Sequence, residues 1–123
     1  MSDDVESKMV ITCNHSDADS VMAALVMGAA AAATGEQVLM FIQPGAAIML
    51  KKGELEKFKG MEGMPDPIDL YDSILVLDGR FILCELGLPN KGIKQEDLRE
   101  GVEVMMASTF LFEAEGTVAT YCY

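Results

Sequence analysis

Ile68-Asp69-Leu70-Tyr71-Asp72-Ser73-Ile74-Leu75-Val76-Leu77-Asp78-Gly79-Arg80-Phe81-Ile82-Leu83 admits two readings that lead to different folds. Asp78-Gly79 between two apolar runs is a signature of a type I′ hairpin turn, which would make the sheet antiparallel here. In the other reading Ile68, Tyr71, Ile74 and Leu75 share one face of a helix. Asp66 or Asp69 then sits near its start, Gly79 is its C′ residue, and Phe81–Leu83 is a separate buried strand. Helix followed by strand is favoured, because it continues an alternation already established upstream.

That alternation begins at Met9-Val10-Ile11-Thr12-Cys13, a short apolar run with β-branched residues that reads as a buried strand. Asn14 to Asp17 is a turn, and Ser16 with Asp19 resembles a capping box, so a helix begins near Asp17. Val21, Met22, Leu25, Val26 and Ala29 give this helix an apolar face, and Gly35 is its natural stop. Val38-Leu39-Met40-Phe41-Ile42 is a second apolar strand, and Pro44 opens a helix through Ala46–Leu50. Two such strands around one helix within roughly 35 residues form a parallel, right-handed βαβ unit. Lys51 to Lys59 reads as a charged surface helix, and Gly60 to Pro67 as a loop.

Downstream, Gln95–Arg99 is a short helix ending at Gly101, and Val102–Val104 is a very short strand. Met105 to Ala114 is a helix that offers Met106, Phe110 and Leu111 to the core, and Thr117–Tyr123 is a β-branched final strand. The expected architecture is a single α/β domain over residues 1–123. It is a three-layer α/β/α sandwich with a mainly parallel sheet of four or five strands.

A chain of 123 residues can bury a real core. With 50% hydrophobic residues but only 7% aromatic ones, that core is aliphatic and methionine-rich. Nine Lys and Arg against twenty Asp and Glu give a net charge of −11, which argues against direct binding to nucleic acid or anionic membrane. The longest apolar run, Val21 to Ala33, is shorter than the roughly 18 residues of a membrane span. The acidic start Ser2-Asp3-Asp4 lacks the basic character of a signal peptide, so a cytoplasmic protein is expected. Three cysteines without CxxC spacing and a single histidine point away from a disulfide scaffold and a metal centre, and no cofactor motif is present.

In open parallel sheets ligands gather beyond the carboxyl ends of the strands. Three such ends carry polar or reactive groups: Cys13–Ser16, Gln43–Gly45 and Cys84-Glu85. Cys84 is the best-placed nucleophile, where a buried strand gives way to a loop with two glycines and a proline. The amides of that loop can face a thiolate. Burial competes with this role, since free cysteines are often small core residues. His15 reads either as a hydrogen-bond partner or base near Cys84, or as a solvated turn residue. Cys13 is a resolving thiol or a core residue, and Cys122 is structural.

These residues resemble the DsrE/DsrF-like family of small sulfur-relay proteins. The resemblance runs through the first strand and turn, the close of the first helix at Ala32-Ala33-Thr34-Gly35-Glu36-Gln37-Val38, and the strand ending near Gly45. It is most specific in Ile82-Leu83-Cys84 followed by Gly92–Val104. It implies that Cys84 takes the position of the family's sulfur-binding cysteine, carrying sulfane sulfur as a persulfide or thiosulfonate. It further implies sulfur donor and acceptor partners, and a homo-oligomer such as a trimer or hexamer. The alternatives are a non-catalytic oligomeric subunit and a small-molecule binding module of flavodoxin-like shape using the Asn14–Asp17 and Gln43–Gly45 loops.

Overall fold

The computed structural model describes residues 7–123. Five strands, β1 (Lys8–Cys13), β2 (Gln37–Ile42), β3 (Arg80–Cys84), β4 (Val102–Met105) and β5 (Thr117–Cys122), form one sheet in the order β4-β3-β2-β1-β5. Every pairing is parallel. Between the strands lie α1 (Ala18–Ala33), α2 (Pro67–Val76), α3 (Gly87–Lys91) and α4 (Ala107–Glu113). The α/β sandwich expected from the sequence is present, with all five strands parallel.

Residues 67–84 form a helix and then a strand, so the hairpin reading does not hold. Pro67 at the first turn fixes a helical φ, and the Asp66 carboxylate accepts the Ile68 amide at 2.8 Å, which caps the helix. At the other end Asp78, not Gly79, adopts the left-handed conformation, with φ of 67°. Gly79 is needed for a different reason: a Cβ there would collide with the Ile74 side chain and carbonyl.

Other local expectations change in detail. Asp17, rather than Ser16, caps α1, its carboxylate accepting the Ser20 amide at 3.0 Å. Pro44–Leu50 and Leu55–Phe58 are 3-10 turns, and the segment expected to be helical over Gln95–Arg99 is a single such turn, Gln95–Asp97. The segment after Cys84 is less irregular than its composition implies, because Gly87–Lys91 winds into α3 before Gly92 closes it at φ of 63°.

The two faces of the sheet are covered unequally. On one, Ile11, Cys13, Met40, Ile42, Phe81 and Leu83 pack against α1, α2 and the Pro44–Leu50 turn to make the larger core. Gly28 lets α1 sit close to the sheet, since a Cβ there would stand 2.6 Å from Met40 Sδ and 2.9 Å from Ile74 Cδ1. On the other face Val10, Leu39, Phe41, Ile82 and Cys84 meet a single helix, α4, through Phe110. Only Phe110 of α4 is buried, whereas Met106 and Leu111, expected in the core, are 52% and 70% exposed. The Phe110 ring stacks on Phe41 at 4.0 Å and 8°.

Polar contacts bind the far end of this second layer. Arg80 forks onto both Glu103 carboxylate oxygens at 2.8 and 2.7 Å and also reaches Glu113 at 2.8 Å, which joins β3, β4 and α4. These hydrogen bonds from Arg80 hold the Glu103 carboxyl below the ordinary glutamate value of 4.5.

Gly28→Leu is expected to lower the unfolding free energy by about 1–3 kcal/mol through overpacking, read by urea denaturation. The Arg80 fork predicts a pH effect. Because the folded-state value of Glu103 is depressed, its contribution is complete above about pH 4.5 and disappears as the pH falls through the folded value. Glu103→Gln is therefore expected to cost less than about 1 kcal/mol at pH 7, the group being solvent-screened, and nothing once both states are protonated.

Candidate functional site

Parallel pairing places the carboxyl ends of all five strands on one edge, and the three segments singled out in the sequence meet there. The Gln43 amide donates to the Cys13 carbonyl at 2.9 Å, and the Gly45 amide to Asn14 Oδ1 at 2.9 Å. Gly45 has no room for a side chain, since its Cβ would fall inside the Asn14 carbonyl oxygen. Gly87 is also tight, though less so, a Cβ there standing 2.9 Å from the Ala47 Cβ. The loops after β1, β2 and β3 thus form one interlocked surface.

Cys84 is the last residue of β3 and is 5% exposed. Register places it beside Met105 of β4, and its side chain lies on the α4 face with Ile82, Phe41 and Phe110. The Glu85 amide is spent on the Met105 carbonyl at 3.0 Å, so the first amide after the thiol is committed to the sheet. The segment that follows, expected to turn its amides to Cys84, packs instead on the other face, Gly87 against Ala47 and Leu83 of the larger core. The Leu88, Asn90, Gly92 and Ile93 amides are bonded within it.

The structure does not bring Cys13 or His15 to Cys84. Cys13 is fully buried on the opposite face, in the core under α1, and its Sγ donates to the His15 carbonyl at 3.3 Å. Burial pushes the Cys13 thiol up, which disfavours a thiolate there. β2 lies between β1 and β3, so the two cysteines are separated by two strand spacings, roughly 10 Å. They also point to opposite faces, and no disulfide can close between them. His15 is exposed on the loop after β1 and makes no side-chain hydrogen bond among the described residues. Cys122, expected to be structural, is an exposed thiol on the edge strand β5.

Two features of the site were not read from the sequence. Phe110 shares one apolar cluster with Cys84 and Met105 stands beside it in register, and only strand register and the path of α4 reveal it. Arg80, Glu103 and Glu113 clamp the second layer, and a signal for them existed. A charge inside each of two otherwise apolar strands is out of place unless the pair meets at a sheet edge.

A cavity of about 490 Å³ opens between Tyr71, Leu75, Arg99 and Gly101, none of which belongs to the Cys84 cluster. The Arg99 guanidinium lies 5.1 Å from the Tyr71 ring centroid and is already paired with Glu56 at 2.9 Å. Tyr71 donates to the Glu100 carbonyl at 2.7 Å, and burial pushes its hydroxyl up to about 12. These contacts tie the 95–101 segment to the helical layer. No cluster of three or more His, Cys, Asp or Glu able to hold a metal occurs among the described residues. No helix among them is long and apolar enough to cross a membrane.

The fold itself has close counterparts. The ychN protein from E. coli superposes with a TM-score of 0.76 over 95% of this chain and 99% of its own, at 15% identity. MTH1491, a protein of unknown function from Methanobacterium thermoautotrophicum, gives 0.72 over 93% and 97%, also at 15% identity. The fold is shared with these two proteins along nearly the whole chain. At this identity the likeness concerns the fold alone. No family model matches the chain. The uncharacterized protein MJ0760 of Methanocaldococcus jannaschii is 28% identical over 103 residues, 84% of this chain. The chain spans 37% of the length of that relative.

The interlock of Asn14 and Gly45 is testable. Gly45→Ala is expected to cost about 1–3 kcal/mol of stability by forcing the two loops apart. Asn14→Ala, which removes one hydrogen bond, is expected to cost about 0.5–1.5 kcal/mol. Paired urea unfolding curves measure both.

Proposed function

We propose that the protein is a sulfur-relay carrier that holds sulfane sulfur on Cys84. What supports the reading above all is the position of Cys84, a thiol at the carboxyl end of an inner strand in a DsrE/DsrF-like fold. This is where ligands and reacting groups gather in open parallel sheets.

The chemistry is an exchange at sulfur. The Cys84 thiolate attacks the outer sulfur of a donor persulfide. A bond forms between Sγ and that sulfur, the donor S–S bond breaks, and the electron pair leaves with the donor thiolate. Cys84 is then a persulfide. An acceptor thiolate attacks the terminal sulfur in turn and releases the Cys84 thiolate. One sulfur atom passes along with no net oxidation, so no redox cofactor enters. His15 is exposed on the loop after β1, two strands away on the same edge, and the exchange is written without it.

Donor and acceptor are proteins or small sulfane-sulfur compounds, and the carrier is a cytoplasmic homo-oligomer, a trimer or hexamer. Support for self-association comes from β5, which among the described residues pairs on one side only and leaves Val118 and Tyr121 66% and 40% exposed. The reading of the chain as a non-catalytic subunit draws on the burial of Cys84.

Intact mass after incubation with polysulfide or thiosulfate decides between them. The wild type and His15→Ala are expected to gain the mass of one or more sulfur atoms, removable by a thiol reductant. Cys84→Ser is expected to lose that part of the gain, any remainder mapping to the exposed Cys122. Equal mass gains for wild type and Cys84→Ser would refute the assignment.

A further inference from the structure

The proposed role of Cys84 leaves one physical difficulty, because a thiol 5% exposed cannot meet a donor sulfur. We infer that α4 is the gate of this thiol, swinging from its amino end about an anchored carboxyl end, with Phe110 as the latch. The inference rests on the sulfur-carrier reading for its purpose, but its structural content is independent of it.

The two ends of α4 are held very differently. At the carboxyl end Arg80 pairs with the Glu113 carboxylate at 2.8 Å and Lys8 Nζ donates to the Glu113 carbonyl at 3.0 Å. The Thr117 hydroxyl donates to the Ala114 carbonyl, and Gly116 follows at φ of 92° with open space around it. At the amino end, which adjoins Met105 and therefore Cys84, the N-cap is Met106, and no side chain caps the helix. Ala107, Ser108 and Thr109 are all exposed.

Between these ends a single side chain fastens the helix to the sheet. Phe110 is 4% exposed and stacks on Phe41, whereas Leu111 and Phe112 face outward at 70% and 79%. Along the flank over β1 and β5 the helix does not close on the sheet. A groove of about 500 Å³ runs there, lined by Val10, Thr12, Phe41 and Thr120 below and by Phe110 and Leu111 above. A seven-residue helix held by one apolar contact, next to empty space, is a unit that opens locally well below the cost of global unfolding. The opposite face, where α1 and α2 bury Cys13, has no such weak layer.

The three cysteines make the test self-controlled. Native protein is treated with iodoacetamide across a range of low urea concentrations, and each cysteine is followed by peptide mass. Cys122 is exposed and reports the unhindered rate. In the wild type Cys84 is expected to react at least about tenfold faster than Cys13, with a shallow urea dependence, since local opening exposes little surface. If Cys84 and Cys13 share one rate and one steep urea slope, only global unfolding exposes the thiol and the gate is overturned.

Phe110→Ala is expected to raise the Cys84 rate by about tenfold or more while Cys13 stays protected, given how much packing a buried phenylalanine contributes. Phe110→Leu should restore most of the protection. An unchanged Cys84 rate in Phe110→Ala would also overturn the proposal. If the variant loosens Cys13 in parallel, the urea slopes of the wild type decide. Alkylation reads access and not sulfur chemistry, so a failed sulfur-loading experiment leaves this result standing, and the reverse holds too.

Discussion

Parallel pairing of β1, β2 and β3 is the constraint from which the rest of the molecule follows. Strands that pair in parallel cannot be joined by tight turns, so each connection must cross a face of the sheet. Those crossings supply the helices that bury Ile11, Met40 and Phe81 on one side. The same arrangement aligns every strand's carboxyl end on one edge. Cys84, the Asn14–Gly45 lock and the exposed His15 share that edge for this reason and no other.

The crossings are not equal, and the inequality gives the site its character. Most of the helical mass lies over one face, with α1 drawn close by Gly28. The last crossing, from edge strand β4 to edge strand β5, must traverse the whole second face with seven helical residues. One aromatic stack and one ion-pair cluster hold it. Parallel sheets are normally covered on both faces, so the thin second layer is the place where stability has been kept low. Cys13 and Cys84 are both buried, yet beneath layers of very different strength.

Identity of fold carries the functional reading only part of the way. The architecture shared with ychN and MTH1491 gathers loops at the carboxyl ends of the strands, while the proposed sulfur chemistry rests on Cys84 itself.

How far the sequence reached can be seen at single residues. Uninterrupted apolar runs at 9–13 and 38–42 and the capped helix between them were enough for a parallel α/β sheet, because only strands buried on both faces dispense with polar alternation. Asp66 was one of two residues legible near the start of α2, since a capping carboxylate acts within a few residues, whereas Pro67, read as loop, is its first residue. Cys84 at a strand end was legible for the same local reason. What surrounds it was not. That Cys13 faces away, that Met105 stands alongside and that Phe110 closes the layer depend on register, on strand order and on the face each side chain takes. A shift of one residue would reverse every one of those faces, and interactions among residues distant in the chain, not local propensity, decide that register.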